Sequence, residues 1–256
     1  MMNFEIGNSR FNRNVGALKR KELNEKLQLM NWKKYTFEFI SIFIAVITAF
    51  ALNNWNDNRN NRNAESKILS EINNGLEKDL EDIRSNVLGH KLGMKATDYF
   101  RDMIANKPIS KDSVMFHYFN LTRDFVSIQN TSGYETLKSR GLELIENDSL
   151  RTKIISLYEY DYNTLRKLEE EYYEIQFQEN YFEDINRSIS QNFQFNEDKL
   201  ITGISTPLKL NQNEEKILLT YLWKIQSNRS FILNYYSQVE SEIEKLRVEI
   251  ENELKR

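Results

Sequence analysis

The sequence predicts an all-α chain: a single N-terminal transmembrane helix followed by an elongated extracytoplasmic helical bundle. Three observations predict it. Only 8 glycines and 2 prolines occur in 256 residues, too few for the turns of a sandwich or barrel. One continuous apolar run, from Phe39 to Leu52, stands alone near the start. Beyond it, apolar residues recur at three- and four-residue spacing, the mark of amphipathic helices. An apolar content of 40% with 12% aromatic residues excludes a disordered chain, and the low Gly and Pro counts exclude a collagen-like one.

The anchor comes first. From Tyr35 to Leu52 the chain has 18 residues and one charge, Glu38. At ~1.5 Å per residue this spans ~27 Å, close to the ~30 Å hydrocarbon core. Trp32 and Tyr35 flank one end and Trp55 the other, as expected of rings anchored among headgroups. Ala49-Phe50-Ala51 fits a small-x-small cleavage pattern, but a leader preceded by more than 30 residues is too long for a usual signal peptide. The segment therefore reads as an uncleaved anchor. Residues 16–35 hold six Lys/Arg and residues 53–72 hold three, which favours the N-terminus inside. Residues 1–34 are then a basic cytoplasmic segment, 35–54 the transmembrane helix, 55–63 an Asn-rich connector and 64–256 a periplasmic helical domain of the bacterial inner membrane. Leu23, Leu27 and Met30 also suit an amphipathic helix on an anionic surface.

One face of the anchor differs from the other. At 100° per residue, Glu38, Ser41, Ala45 and Ala49 fall within an arc of about 80°, opposite Phe39, Phe43, Ile47 and Phe50. Small residues let helices approach in lipid, and a carboxylate at this depth is costly unless paired, protonated or near the interface. The stripe is a candidate packing face; the bland alternative is a snorkelling Glu38 beside incidental alanines.

Residues 53–63, NNWNDNRNNRN, read as a helix-indifferent connector, with Asn63 capping the next helix. Leu69, Ile72, Leu76, Leu80, Ile83 and Val87 mark that helix, which Gly89 and Gly93 are expected to weaken or end. Tyr99, Phe100, Met103 and Ile104 resume it up to Lys107-Pro108. Ser110 or Asp112 caps a helix bearing Val114, Met115, Tyr118, Phe119 and Leu121. Ser132-Gly-Tyr-Glu135 reads as a capping box, with Gly141 as the stop. Asn147 caps a long helix with the stripe Leu157, Asp161, Leu165, Leu168, Tyr172, Ile175 and Phe182. Residues 189–211 read as irregular. A last helix or helix pair starts near Asn213, its end striped by Ile232, Val239, Ile243, Leu246 and Ile250 like a bundle or coiled-coil face.

The chemistry is sparse. Without cysteine there is no disulfide, thiolate metal site or Cys nucleophile. A net charge of −3 argues against bulk nucleic-acid binding. His90 and His117, outside any HExxH or Glu-x-x-His pattern, are expected as surface or packing residues. No GxSxG, Walker A or GxGxxG motif occurs. The acidic runs Glu169-Glu170-Glu171 and Glu77 to Asp82 are expected as solvated faces. Tyr158, Tyr160, Tyr162, Tyr172, Tyr173 and Tyr181 are expected mainly in packing. Five N-x-S/T sequons carry little weight in an Asn-rich chain. No catalytic, cofactor or metal residue is assigned.

Two stretches resemble a known family. The first is the Glu38-led apolar helix ending in Asn53-Asn54-Trp55-Asn56. The second is Tyr134-x-x-Leu137-Lys138-x-x-Gly141, followed by Ile145 and Asn147-Asp-Ser-Leu150. Together they are similar to domain of unknown function 6090, single-pass bacterial membrane proteins without an assigned activity. The resemblance covers roughly residues 30–160 and supports location and architecture. The segment Tyr134, Leu137, Gly141 and Ile145 is the candidate structural keystone, with ordinary packing as its bland reading.

The expected function is a non-enzymatic interaction or scaffold module in the lipid bilayer, paired with itself as a homo-oligomer or with another envelope protein. The alternative is an extracytoplasmic small-ligand sensor acting through a partner; a carboxylate-based enzyme ranks third.

Overall fold

The computed structural model describes the backbone of residues 5–255 and the side chains of Trp32 and of Lys34 onward. The Leu23, Leu27 and Met30 side chains lie outside the described residues. Two compact units are present, residues 1–62 and residues 63–256. The chain is helical almost throughout. Helix α1 runs Glu5–Ile104, α2 Val114–Leu121, α3 Ser132–Arg140, α4 Asp148–Ser156, α5 Tyr162–Glu170, α6 Phe177–Ser190 and α7 Gln212–Leu254, with a π turn at Leu157–Asp161 between α4 and α5. The only strands among the described residues, β1 (Phe193–Phe195) and β2 (Ile201–Ile204), form an antiparallel hairpin.

In the first unit, α1 contains a stretch long and apolar enough to cross a membrane, and none of it is buried. The polar stretch 53–63 is helical, not a connector. Asparagine costs under ~1 kcal/mol per residue in a helix, and prolonging a formed helix is far easier than nucleating a new one. Asn53 donates to Asp57 one turn on, and the Arg59 guanidinium lies 5.8 Å from the Trp55 ring. Asn63 consequently caps nothing.

In the second unit, the predicted stripes supply the core. Leu69, Ile72, Leu76, Leu80 and Ile83 of α1 are buried, as are Ile232, Val239, Ile243, Leu246 and Ile250 of α7. Each such aliphatic side chain contributes about 1.5–3 kcal/mol by leaving water. α7 is one uninterrupted helix. Asn211 caps it by accepting from the amides of Asn213 and Glu214, while Glu214 reaches back to the Asn211 amide.

Three local expectations are corrected. Ser132-x-x-Glu135 makes no capping box: α3 is capped from Thr131 without a side-chain bond, and the Ser132 hydroxyl donates to Asn130 Oδ1. α2 follows Ser113, and neither Ser110 nor Asp112 makes a side-chain cap. The long helix after Asn147 breaks between Glu170 and Phe177, where Tyr172 is extended. Contacts from distant residues stabilise the break. Asp124 accepts from the amides of Phe177 and Gln178, capping α6, and the Gln176 amide group donates to the Glu169 carbonyl. The Asn147 cap and the Gly141 stop stand as read: Asn147 accepts from the Leu150 amide, and Gly141 has φ 103°, the left-handed region glycine tolerates.

Candidate functional site

The residues singled out in the sequence fall into two places. Within the first unit, Glu38, Ser41, Ala45 and Ala49 are all exposed, as are Trp32, Tyr35 and Trp55. The Ser41 hydroxyl donates to its own helix at the Phe37 carbonyl, and Glu38 lies 3.9 Å from Lys34.

Within the second unit, Tyr134, Leu137 and Ile145 are buried, while Gly141 lies in open space. The Tyr134 ring stacks on Tyr158 at 4.5 Å, and its hydroxyl donates to Glu159 at 2.9 Å. Lys138 sits over the same ring and 3.2 Å from Glu159. A Cβ on Gly133 would come within 2.9 Å of the Ile72 backbone nitrogen, so α3 rests directly on the α1 backbone. The tyrosines divide. Tyr158, Tyr162 and Tyr181 are buried with bonded hydroxyls, whereas Tyr160, Tyr172 and Tyr173 face solvent.

The densest polar arrangement is elsewhere. Gly89 and Gly93 do not interrupt α1; they are close-packing positions. A Cβ on Gly89 would overlap the Phe125 ring, and one on Gly93 would overlap the Arg229 guanidinium. Arg229, from α7, is fully buried yet forms no ion pair among the described residues. It donates to the carbonyls of Leu121 and Arg123 at 3.1 and 2.9 Å, and its guanidinium lies 4.1 Å from the Phe177 ring centroid. Loss of water drives its pKa down to about 9, against a smaller opposing pull from Asp124. His90 Nδ1, 3.0 Å from Arg229 Nη1, acts as acceptor because arginine only donates. Burial, with the Arg229 charge second, lowers the His90 pKa to about 3, so the ring is neutral. His90 is thus a packing residue, surrounded by Phe125, Phe177 and Tyr236. His117 is half-buried and stacks on Tyr99.

Next to this cation, residues 123–131 cross the helices without secondary structure. Carboxylates bond their amides. Asp82 Oδ2 accepts from the Ile128 amide at 2.9 Å, and Asp79 Oδ1 from the Asn130 amide at 2.7 Å. Glu169 accepts from the Ser127 amide at 3.1 Å and its hydroxyl at 2.9 Å. Two tyrosines complete the set: Tyr162 donates to Asp79 at 2.6 Å, and Tyr236 donates to Glu169. Asp79 and Glu169 are 1% and 3% exposed, which corrects the solvated-face reading for these two residues, while Glu77, Glu81, Glu170 and Glu171 are exposed as expected. Burial is the main cause raising Asp79 to about 6, and it raises Glu169 as well.

Such an arrangement holds backbone in place. Each buried carboxyl is occupied by amide and hydroxyl donors, and the neutral imidazole is occupied by Arg229. Among the described residues, no cluster of three or more His, Asp or Glu is placed to hold a metal ion. Two surface clefts measure about 110 Å³, beside Lys153, Asp161 and Glu242, and about 280 Å³, beside Met103, Lys107 and Pro207. The sequence held a signal for part of this: the i, i+4 glycine pair was visible, but its partners Phe125 and Arg229 are remote in the chain.

Searches of curated proteins and of solved structures each returned no match. A family model matches residues 38–199, a span containing the apolar helix, the Tyr134–Gly141 motif and the carboxylate-held crossing segment. On that match over more than half its length, the chain belongs to the family of unknown function DUF6090.

Proposed function

We propose that this protein is a membrane-anchored helical interaction module of the bacterial inner membrane. Its N-terminus is cytoplasmic and its second unit periplasmic. It works by contact with itself or an envelope partner, without catalysis. The observation that carries this reading is the use made of the buried polar groups. Asp79, Glu169, His90 and Arg229, which could otherwise supply acid, base or electrophilic chemistry, are engaged in holding backbone and side chains of the same unit. The exposed apolar stretch of α1 supports the anchor.

The full chain, purified from native membranes in mild detergent, tests this by native mass spectrometry. The expected species is a homo-oligomer or a stoichiometric complex with a second protein. Ala45→Leu combined with Ala49→Leu is expected to reduce a homo-oligomer to monomer, because bulky side chains prevent close helix approach in lipid. A bare monomer overturns the reading, and a retained small molecule replaces it with the sensor.

A further inference from the structure

The break between α5 and α6 turns aromatic rings outward. Tyr172 and Tyr173, in the stretch 171–176, are 45% and 70% exposed. Phe231 of α7 is 50% exposed, and its ring centroid lies 6.0 Å from that of Tyr172. The backbone beneath these rings is fixed. The Glu174 carbonyl accepts from the Tyr181 hydroxyl at 3.2 Å and from the Asn228 side chain at 3.1 Å, and the Tyr173 carbonyl accepts from the Asn180 side chain. The Tyr172 amide donates to the Lys167 carbonyl, and the Tyr172 carbonyl accepts from the Ile175 amide. The rings therefore stand in water on a bonded loop, not on a loose one. Aromatic rings left exposed forgo a large gain from burial, and a fixed group of them marks a contact surface.

Charge specifies what covers it. From Leu168 to Asn186 the chain holds seven acidic residues and no Lys or Arg. Glu170, Glu171, Glu174 and Glu179 are exposed and form no ion pair among the described residues. Residues 225–239 of α7, which include Asn228 and Phe231, carry a single cation, Arg229, and it is buried. Lys167, Arg187 and Lys224 stand outside these limits. A surface of this sign repels phosphates and anionic lipid. A guanidinium answers both of its features, pairing with carboxylates through its N–H fork and stacking on aromatic faces, whereas a lysine ammonium is a strongly hydrated point charge. We propose that Tyr172, Tyr173 and Phe231, with the neighbouring Glu170, Glu171 and Glu174, form a docking surface for an arginine-containing segment of a partner protein. This deepens the interaction-module reading, on which it rests, by naming the surface and the chemistry of the partner.

Fluorescence anisotropy on the full chain in non-ionic detergent tests this with labelled peptides of equal length, in which arginine, lysine or glutamate alternates with glycine. The arginine peptide is expected to bind, the lysine peptide to bind several-fold more weakly, and the glutamate peptide not to bind. Tyr173→Ser combined with Phe231→Ser is expected to weaken the arginine peptide about tenfold, as loss of aromatic anchors does. Tyr173→Ser alone, at a ring 70% exposed, provides the same test should the double variant fold poorly. Glu171→Gln combined with Glu174→Gln is expected to weaken the arginine and lysine peptides alike. Glu81→Gln combined with Glu251→Gln, at exposed acids elsewhere on the second unit, is expected to leave binding unchanged. Absence of arginine-peptide binding overturns the proposal. So does equal affinity for arginine and lysine peptides, or binding that the Tyr173 and Phe231 substitutions leave unchanged, because charge alone then accounts for it. Binding of chitotetraose that is lost in the same variants also overturns it and makes the rings a sugar platform. These outcomes are separate from a bare monomer in native mass spectrometry, so the surface can fall without the interaction-module reading falling with it.

Discussion

At position 93, helix propensity and packing pull in opposite directions. Glycine inside α1 costs roughly 1 kcal/mol relative to alanine, so Gly93→Ala would stabilise an ordinary solvent-facing helix. Here the added methyl overlaps the Arg229 guanidinium, whose three hydrogen-bonding contacts and ring stacking leave it no alternative place in the core. Gly93→Ala is therefore expected to destabilise by about 1–3 kcal/mol, the usual range for overpacking. A lowered urea midpoint of the full chain in detergent checks this. A raised midpoint would mean that Arg229 moves freely and is not structurally fixed. These single-residue features were the least legible in the sequence. Asp79 and Glu169 sit in acidic runs that look solvated because their polar partners lie up to 83 residues away. Spacing along the chain reports which face of a helix a residue occupies, not what another segment lays across it.

Helices were more legible than their ends. The α1 and α7 stripes could be read because burial on a helix face imprints the 3.6-residue period on the chain itself. The Asn147 cap and Gly141 stop could be read because each acts on amides or carbonyls within a few residues. The break after α5 could not, since Asp124, 53 residues upstream of Phe177, supplies the cap for α6. The same distinction separates two caps that look alike as text. Asn211 accepts from two free amides and is answered by Glu214, whereas Ser132 bonds only its neighbour Asn130 among side-chain partners. Asn211→Ala is expected to cost about 1 kcal/mol, the typical value of a filled N-cap. Ser132→Ala is expected to stay within ~0.5 kcal/mol of the starting protein, as for an exposed position without such a role. Urea midpoints measured side by side decide it, and a larger loss at Ser132 would restore the capping box.

Across the molecule, charge is distributed unevenly. Residues 1–35 hold eight Lys/Arg against three acids, while the chain beyond Glu38 holds 27 basic and 34 acidic residues. Positive charge near an apolar helix is retained on the cytoplasmic side during insertion. That reasoning makes the orientation testable with a chain that has no cysteine, because each introduced thiol reports alone. Lys224→Cys places one on the exposed side of α7, and Asn8→Cys places one in the basic segment. In cells whose outer membrane alone is permeabilised, a membrane-impermeant maleimide is expected to label position 224 at once and position 8 only after lysis. The opposite pattern would invert the topology and put the second unit in the cytoplasm. Labelling of both only after lysis would mean that α1 does not cross the membrane, and the contact function would then have to be sought in a protein without a periplasmic face.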